Sequence, residues 1–250
     1  MQLLTLSCDS SRFPADIELP EIPSQRDLRF LEGIARAALP HDATPSLEDI
    51  QRQPDVEPQG APQPAPQTPL RDVRLIVIGS PAAHSAVLTR LMRQDDLWIQ
   101  VGFLSPKASF SEYEALRVGK VTPAPLVRDD AGVAVAKSAV ITEWDGGEMT
   151  GEIIVDDHVL LHSEQQIHNF GARLVPMPDA PGIAAVKKVA AKSGLFRKEY
   201  DAATLATGRA LQVGGPNLRI TVDGVSRKRP VDRATFYRHL RDAQLILPSV

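Results

Sequence analysis

Arg74-Leu75-Ile76-Val77-Ile78-Gly79-Ser80-Pro81-Ala82-Ala83-His84-Ser85-Ala86-Val87-Leu88 reads as a buried strand, a tight turn and the start of a helix. Leu75 to Ile78 is an unbroken apolar, β-branched run, as expected of a strand covered on both faces. From Ala83 to Met92 the apolar period changes, with Val87, Leu88, Leu91 and Met92 on one helical face. Leu97 to Leu104, which carries Trp98 and Phe103, reads as a second strand. A strand, helix and strand in this order predict parallel strands joined by a right-handed crossover, the start of an α/β layer. Phe110 to Val118 adds a further helix and Ala124 to Val127 a further strand.

The turn itself has two readings. A phosphate cradle needs glycines where backbone approaches an anion, and free amides at a helix N-terminus. Gly79-Ser80-Pro81 offers one glycine followed by a proline, which has no amide hydrogen. It matches neither three spaced glycines nor a Gly-Lys-Ser/Thr ending. Nor is it a hydrolase elbow, since Ile78 and Ala82 stand two positions from Ser80 where glycines are required. The plainer reading makes Ser80 the helix cap and Pro81 a first-turn residue. Every such terminus keeps free amides and a positive dipole, so Gly79, Ser80 and His84 are the anion candidates here.

Upstream, Leu28, Leu31, Ile34, Ala35 and Ala38 lie at helical spacing between Ser24, a plausible cap, and Pro40, a stop. Six prolines follow between Pro54 and Pro69, with little apolar material, which predicts an extended mobile tether. Downstream of Asp129-Asp130-Ala131-Gly132, short apolar runs bounded by Gly, Asp or Pro predict antiparallel strands at 133–135, 139–142, 151–155 and 159–162. Asp223-Gly224, after the alternating Leu218 to Val222, supplies the residue types of a two-residue hairpin turn, and Gly214-Gly215-Pro216 reads as another turn. The expected fold class is α/β: a small three-layer α/β unit followed by an antiparallel, sandwich-like β-rich domain, with an N-terminal helical appendage. The expected boundaries are 1–50 for the appendage, 51–70 for the linker, 71–130 for the α/β domain and 131–250 for the β-rich domain.

At 250 residues the chain is long enough to bury a sizeable core, and its 43% apolar and 24% charged content is that of a globular protein. One cysteine, Cys8, cannot form an intrachain disulfide or a structural zinc site, which favours a reducing, cytoplasmic setting. Met1 to Asp9 has no basic leader, and no run approaches the roughly 20 apolar residues of a membrane span.

Charge is unevenly spread. Lys187 to Arg241 holds thirteen Lys and Arg against four acids, net +9, so with a total of −3 the remainder carries −12. The densest part contains Arg227, Lys228, Arg229, Arg233 and Arg238 beside Phe236 and Tyr237, and arginine forks suit phosphate oxygens. These five are the candidates for an anionic small molecule or a lipid headgroup, with peripheral membrane contact as one form of the latter. The alternative is a solvated or internally paired basic face. Nucleic acid ranks lowest, because the whole chain is mildly acidic and carries no groove-entering or RNA-reading motif. Asp156-Asp157-His158 with His162 and His168 invites a metal reading, but on a strand residues four apart lie roughly 13 Å apart, too far to share an ion, so no metal site is expected. Trp144-Asp145-Gly146-Gly147-Glu148 reads as a turn, with a catalytic role for Asp145 unsupported.

The α/β unit from Arg74, followed by a β-rich part ending in Gly208-Arg209-Ala210-Leu211-Gln212-Val213 and Leu218-Arg219-Ile220-Thr221-Val222-Asp223-Gly224, resembles the diacylglycerol-kinase-like lipid kinases and their NAD-kinase relatives. In architecture the resemblance covers residues 71–250. The chain is also similar to actinobacterial proteins of this kind, which implies a lineage and no activity. The family implies an Asn-Pro signature after the first strand, where this chain has Gly79-Ser80-Pro81, and a Gly-Gly-Asp-Gly-Thr phosphate loop, which is absent. Phosphoryl transfer depends on positioning and neutralising nucleotide phosphates, so losing that loop removes much of its machinery. The resemblance therefore implies a catalytically degenerate binding or regulatory module for an anionic ligand or a protein partner. One alternative is an active lipid kinase using Mg-ATP, in which Asp145 or Asp157 would matter; another is an assembly protein docking through its N-terminal helix.

Overall fold

The structure, a computed structural model, describes residues 1–8, 12–42, 44–52, 59–164, 168–190 and 199–246. In chain order the elements are β1 (Gln2–Ser7), β2 (Ile17–Glu18), α1 (Phe30–Ala38), α2 (Leu47–Gln51), β3 (Val73–Ile78), α3 (Pro81–Arg93), β4 (Gln100–Leu104), α4 (Phe110–Val118) and β5 (Val121–Ala124). There follow β6 (Val127–Asp129), β7 (Ala134–Val135), β8 (Ala139–Glu143), β9 (Gly151–Val155), β10 (His158–Ser163), β11 (Ala172–Pro176) and β12 (Ile183–Lys188). The last are β13 (Tyr200–Gly208), β14 (Ala210–Val222), β15 (Val225–Ser226), β16 (Val231–Arg238) and β17 (Ala243–Ile246). Two compact units result: Met1–Ala124 with Leu240–Val250, and Pro125–His239.

The first unit is built on a six-stranded sheet in the order β2-β1-β3-β4-β17-β5. β1, β3, β4 and β17 run parallel, and β5 is antiparallel to β17. All six residues of β3 are buried, which is what its unbroken apolar run anticipates. Tyr113 and Leu116 of α4 share a core with Ile76 and Ile78, and α3 packs on the same strand. The α3 start follows the sequence closely: Ser80 is the cap, its hydroxyl accepting from Ala83 N at 3.3 Å, and Pro81 is the first helical residue. Helix α4 begins with a capping box in which Ser109 and Glu112 exchange hydrogen bonds.

Two expectations for the N-terminal part do not hold. Gln2–Ser7, expected within a helical appendage, is β1, paired with β3 along its full length from Gln2 beside Val73 to Ser7 beside Ile78. The helix at 24–39 is shorter, Phe30–Ala38, because Ser24 holds a separate turn in which its backbone N–H and hydroxyl donate to Asp27. Its apolar face is not free for a partner, since Leu28, Leu31, Ala35 and Ala38 are buried. Glu32 lies 3.5 Å from Arg90 of α3, and Gln25 donates to Ala86 O.

The proline-rich segment differs as well. Residues 53–58 of it lie outside the described residues. The remainder, from Gln59, is fastened to the first unit rather than mobile. Gln63 N donates to Asp242 Oδ2, Gln244 Nε2 donates to Gln63 O, Gln67 Nε2 donates to Asp42 Oδ2, and Leu70 N donates to Ala38 O. Proline-rich chain is already extended, so fixing it costs little entropy per hydrogen bond made.

The second unit is an eleven-stranded antiparallel sheet, ordered β13-β12-β11-β8-β14-β16-β6-β7, with β9 and β15 branching from β14 and β10 paired to β9. Its inward residues form one core centred on Phe236, Ile141, Leu211, Ile220 and Leu174. The expected strand at 124–127 is two: β5 belongs to the first unit's sheet and β6 to the second's, with Pro125 between. Asp223-Gly224 forms the expected hairpin turn, both residues at positive φ (50° and 90°).

Gly214-Gly215-Pro216 is not a turn. β14 runs straight through it, changing partners from β9 to β8 while its register against β16 shifts. A Cβ at Gly215 would come 2.4 Å from Thr150 O, and one at Gly151 would come 2.2 Å from Gly214 O, so the glycines allow backbone to touch backbone at the branch. Pro216 falls where the ladder lapses and no amide is needed.

Candidate functional site

In the first unit β1, β3 and β4 end side by side, and their carboxyl ends place Cys8, Gly79 and Ser105 at the mouth of the β3–α3 turn. Cys8 N donates to Ile78 O, and Gly79 N donates to Leu104 O. Glycine is required at position 79 by contact, because a Cβ there would lie 2.9 Å from the Cβ of Cys8. Burial pushes the Cys8 thiol up to about 11, so it stays protonated near neutral pH.

His84 sits in the first turn and a half of α3. Its ring lies on Phe103 of β4, centroids 4.7 Å apart and planes 3° from parallel. Nε2 is buried without a hydrogen-bond partner, and burial lowers the imidazole to about 4. Such a ring is neutral at pH 7 and offers no positive charge to an anion. The structure thus brings Gly79, Ser80 and His84 together at one turn. There Pro81 withholds one amide, the Ser80 hydroxyl serves its own helix, and no acidic residue stands in the first turn of α3.

The basic candidates lie in the second unit and divide into three environments. Arg227 is half-buried and paired with Asp129 at 2.9 Å and also with Asp130. Burial opposes its charge, and hydrogen bonds to the two carboxylates more than offset this, so its guanidinium is held more firmly protonated than usual. Arg238 is buried at the end of β16, on the same side as Ala234 and Phe236. Arg233 takes the opposite parity and is exposed, as are Lys228 and Arg229. Among the described residues these last three enter no ion pair. Lys192, Arg197 and Lys198 of the basic third lie outside the described residues.

Other candidates are structural in setting. Asp156 Oδ1 and Oδ2 accept from Arg209 N, with Ala210 N also donating to Oδ1, so this side chain clamps the β9–β10 turn to the start of β14. Asp157 lies in the same turn. Asp145 is exposed in the turn after β8, where Glu143, not Asp145, accepts the backbone donors Asp145 N and Gly147 N. His162 Nδ1 is 2.9 Å from Glu152 Oε2. Among the described residues no three His, Cys, Asp or Glu are grouped to hold a metal. No helix among them is long and apolar enough to cross a membrane.

Sequence reading missed the Asp129 and Asp130 partners of Arg227, about a hundred residues away. The alternation Ala234, Phe236, Arg238 was a signal that Arg238 shares the inward face of its strand.

No protein-family model matches the chain, and no curated protein matches it by sequence. Solved structures do match in shape. A diacylglycerol kinase from Bacillus anthracis superposes with a TM-score of 0.53 at 8% identity, over 98% of this chain and 96% of that one. A second Bacillus anthracis structure, provisionally assigned to the same activity, gives 0.58 at 8% over the same shares. An NAD kinase from Archaeoglobus fulgidus, crystallised with ATP, gives 0.50 at 12%, over 100% of this chain and 94% of that one. At such identities likeness carries the fold and nothing finer. The chain has the two-unit fold of NAD and diacylglycerol kinases.

Proposed function

We propose that this is a non-catalytic protein with a kinase fold, which binds an anionic ligand of the lipid-headgroup type through Lys228, Arg229 and Arg233. The observation that carries the reading is the chemistry of the β3–α3 turn. Phosphoryl transfer needs donors on the nucleotide phosphates and carboxylates on their metal. Here Pro81 opens the helix, Ser80 caps it, and the buried His84 is neutral. Arg227, fixed to Asp129 and Asp130, shapes the β-rich surface but is already neutralised, which leaves the three exposed bases to meet an anion. Exposed bases of this kind add on the order of 1 kcal/mol each to attraction toward an anionic membrane.

The test is binding of the full chain to vesicles of phosphatidylcholine with and without 30% phosphatidylserine, set beside ADP release from Mg-ATP with diacylglycerol present. Salt-sensitive binding to anionic vesicles alone, reduced by K228E/R229E/R233E and without ADP release, is the expected result. Diacylglycerol-dependent ADP release would establish the lipid-kinase alternative instead.

A further inference from the structure

In the second unit Ala139 and Ile141 of β8, Ala172 and Leu174 of β11, and Leu218 and Ile220 of β14 are buried in the core. By strand parity Val140, Thr142, Arg173, Arg219 and Thr221 stand on the opposite face of the sheet, and each is part-exposed. Two cation–π pairs are set on that face. The Arg219 guanidinium lies 4.9 Å from the centre of the Trp144 ring, and its Nη2 donates to Trp144 O. The Arg173 guanidinium lies 5.4 Å from the Tyr200 ring, which Lys188 Nζ also approaches at 5.9 Å. Lys188 is paired with Glu199 at 2.8 Å, while among the described residues Arg173 and Arg219 enter no ion pair.

Strand β8 runs between the two pairs. Arg173 is opposite Val140 and Arg219 is opposite Thr142. Their Cα atoms are thus two strand spacings apart across the sheet and two residues apart along it, about 12 Å in all. The side chains between them, Val140, Thr142 and Thr221, are neutral.

This combination narrows the ligand. Headgroup attraction uses cations and has no need of rings beneath them. Single-stranded nucleic acid uses both, since bases stack on aromatic rings and guanidinium planes while phosphate oxygens take the arginine N–H groups. Guanidinium groups already laid on rings also lose less freedom when a ligand arrives. Whole-chain charge ranks nucleic acid last, but this face draws on residues from 140 to 219 that come together only in the folded sheet.

We infer that this face of the sheet is a binding surface for single-stranded nucleic acid, with bases stacked at the Trp144–Arg219 and Tyr200–Arg173 pairs and phosphates on the two guanidinium groups. It shares no residue with the headgroup surface, so either reading can fail alone.

The test is fluorescence anisotropy of a labelled oligothymidylate 12-mer titrated with the full chain. A dissociation constant of about 10 μM or tighter at 50 mM salt, weakened about tenfold at 200 mM, is expected. A duplex of the same length, and polyphosphate, which has no bases, should compete at least about fivefold less well. Arg173→Gln with Arg219→Gln should weaken binding at least about tenfold, and Lys228→Gln, Arg229→Gln and Arg233→Gln together by less than about threefold. Fluorescence of Trp144 in a Trp98→Phe background should change on addition of the same unlabelled oligonucleotide, which needs no variant of the proposed surface. Absence of binding by the unaltered chain at about 100 μM, equal competition by polyphosphate, or loss of binding in the Lys228 triple variant with a folded Arg173/Arg219 variant unaffected would each overturn the assignment.

Discussion

The imidazole of His84 lies flat on the ring of Phe103, 4.7 Å away and within 3° of parallel, with its Nε2 buried and unpaired. This pair joins the first turn of α3 to the end of β4 and fills that junction with uncharged aromatic surface.

Acid sensitivity follows from it. Burial lowers His84 from 6.5 to about 4, so between those values the unfolded chain takes up a proton that the folded chain does not. The contribution is intact above pH 6.5 and is lost as pH falls toward 4, by roughly 3 kcal/mol. Urea unfolding at pH 7, 5.5 and 4.5 measures it. His84→Leu should flatten that part of the profile; an unchanged slope would show that other groups govern it.

Arg227 should prove to be a structural residue. Asp129 is almost fully buried, its side chain 2% exposed, and removing its cation leaves an uncompensated carboxylate. Arg227→Ala should cost about 3 kcal/mol or more by chemical denaturation. Single substitutions of Lys228, Arg229 or Arg233 by Gln should stay within about 0.5 kcal/mol of the parent. Destabilisation by all four to a similar degree would contradict the division drawn among them.

Asp223 ties the β14–β15 turn to the chain before β8. Its carboxylate accepts from Ala136 N, Lys137 N and Ser138 N at 2.7–2.8 Å. Burial raises its carboxyl despite the three donors, evidence of how far this contact is withdrawn from water. Asp223→Ala should destabilise by about 2–3 kcal/mol, since buried amides lose a charged acceptor. A loss below about 0.5 kcal/mol in thermal or urea unfolding would show that water replaces the carboxylate.

Gly151 has φ +130°, and a Cβ there would lie 2.2 Å from Gly214 O, so Gly151→Ala must separate β9 from β14 at their branch. A loss of about 2–4 kcal/mol is expected. Gly146→Ala, also at positive φ but with open space around its Cβ, should cost about 1 kcal/mol. Equal costs would mean that the close approach at the branch is readily relaxed.

The strand-turn-helix at Arg74 to Leu88 was legible because each signal in it is local: an apolar run, a capping serine, a first-turn proline. The helix at Phe110 to Val118 and the Asp223-Gly224 turn were legible for the same reason. Gln2–Ser7 was not. Its short run Leu3-Leu4-Thr5-Leu6 becomes a central strand only by pairing with residues some seventy positions away, and such pairing leaves no local mark. Gly214-Gly215-Pro216 misled because the same residues that break a strand also permit close backbone contact at a branch. At the candidate site, Gly79, Ser80 and His84 are neighbours in sequence and stayed neighbours in space. The basic cluster was legible as composition but not as a surface, because strand parity and a distant aspartate pair divide it.

The most direct test of a non-catalytic kinase fold is the melting temperature of the full chain titrated with Mg-ATP, since a ligand that binds only the folded state raises it by mass action. No shift up to 5 mM is the expected result. A saturable rise, removed by Ser80→Tyr at the β3–α3 turn in a protein that still folds, would contradict it and restore that turn as a nucleotide site.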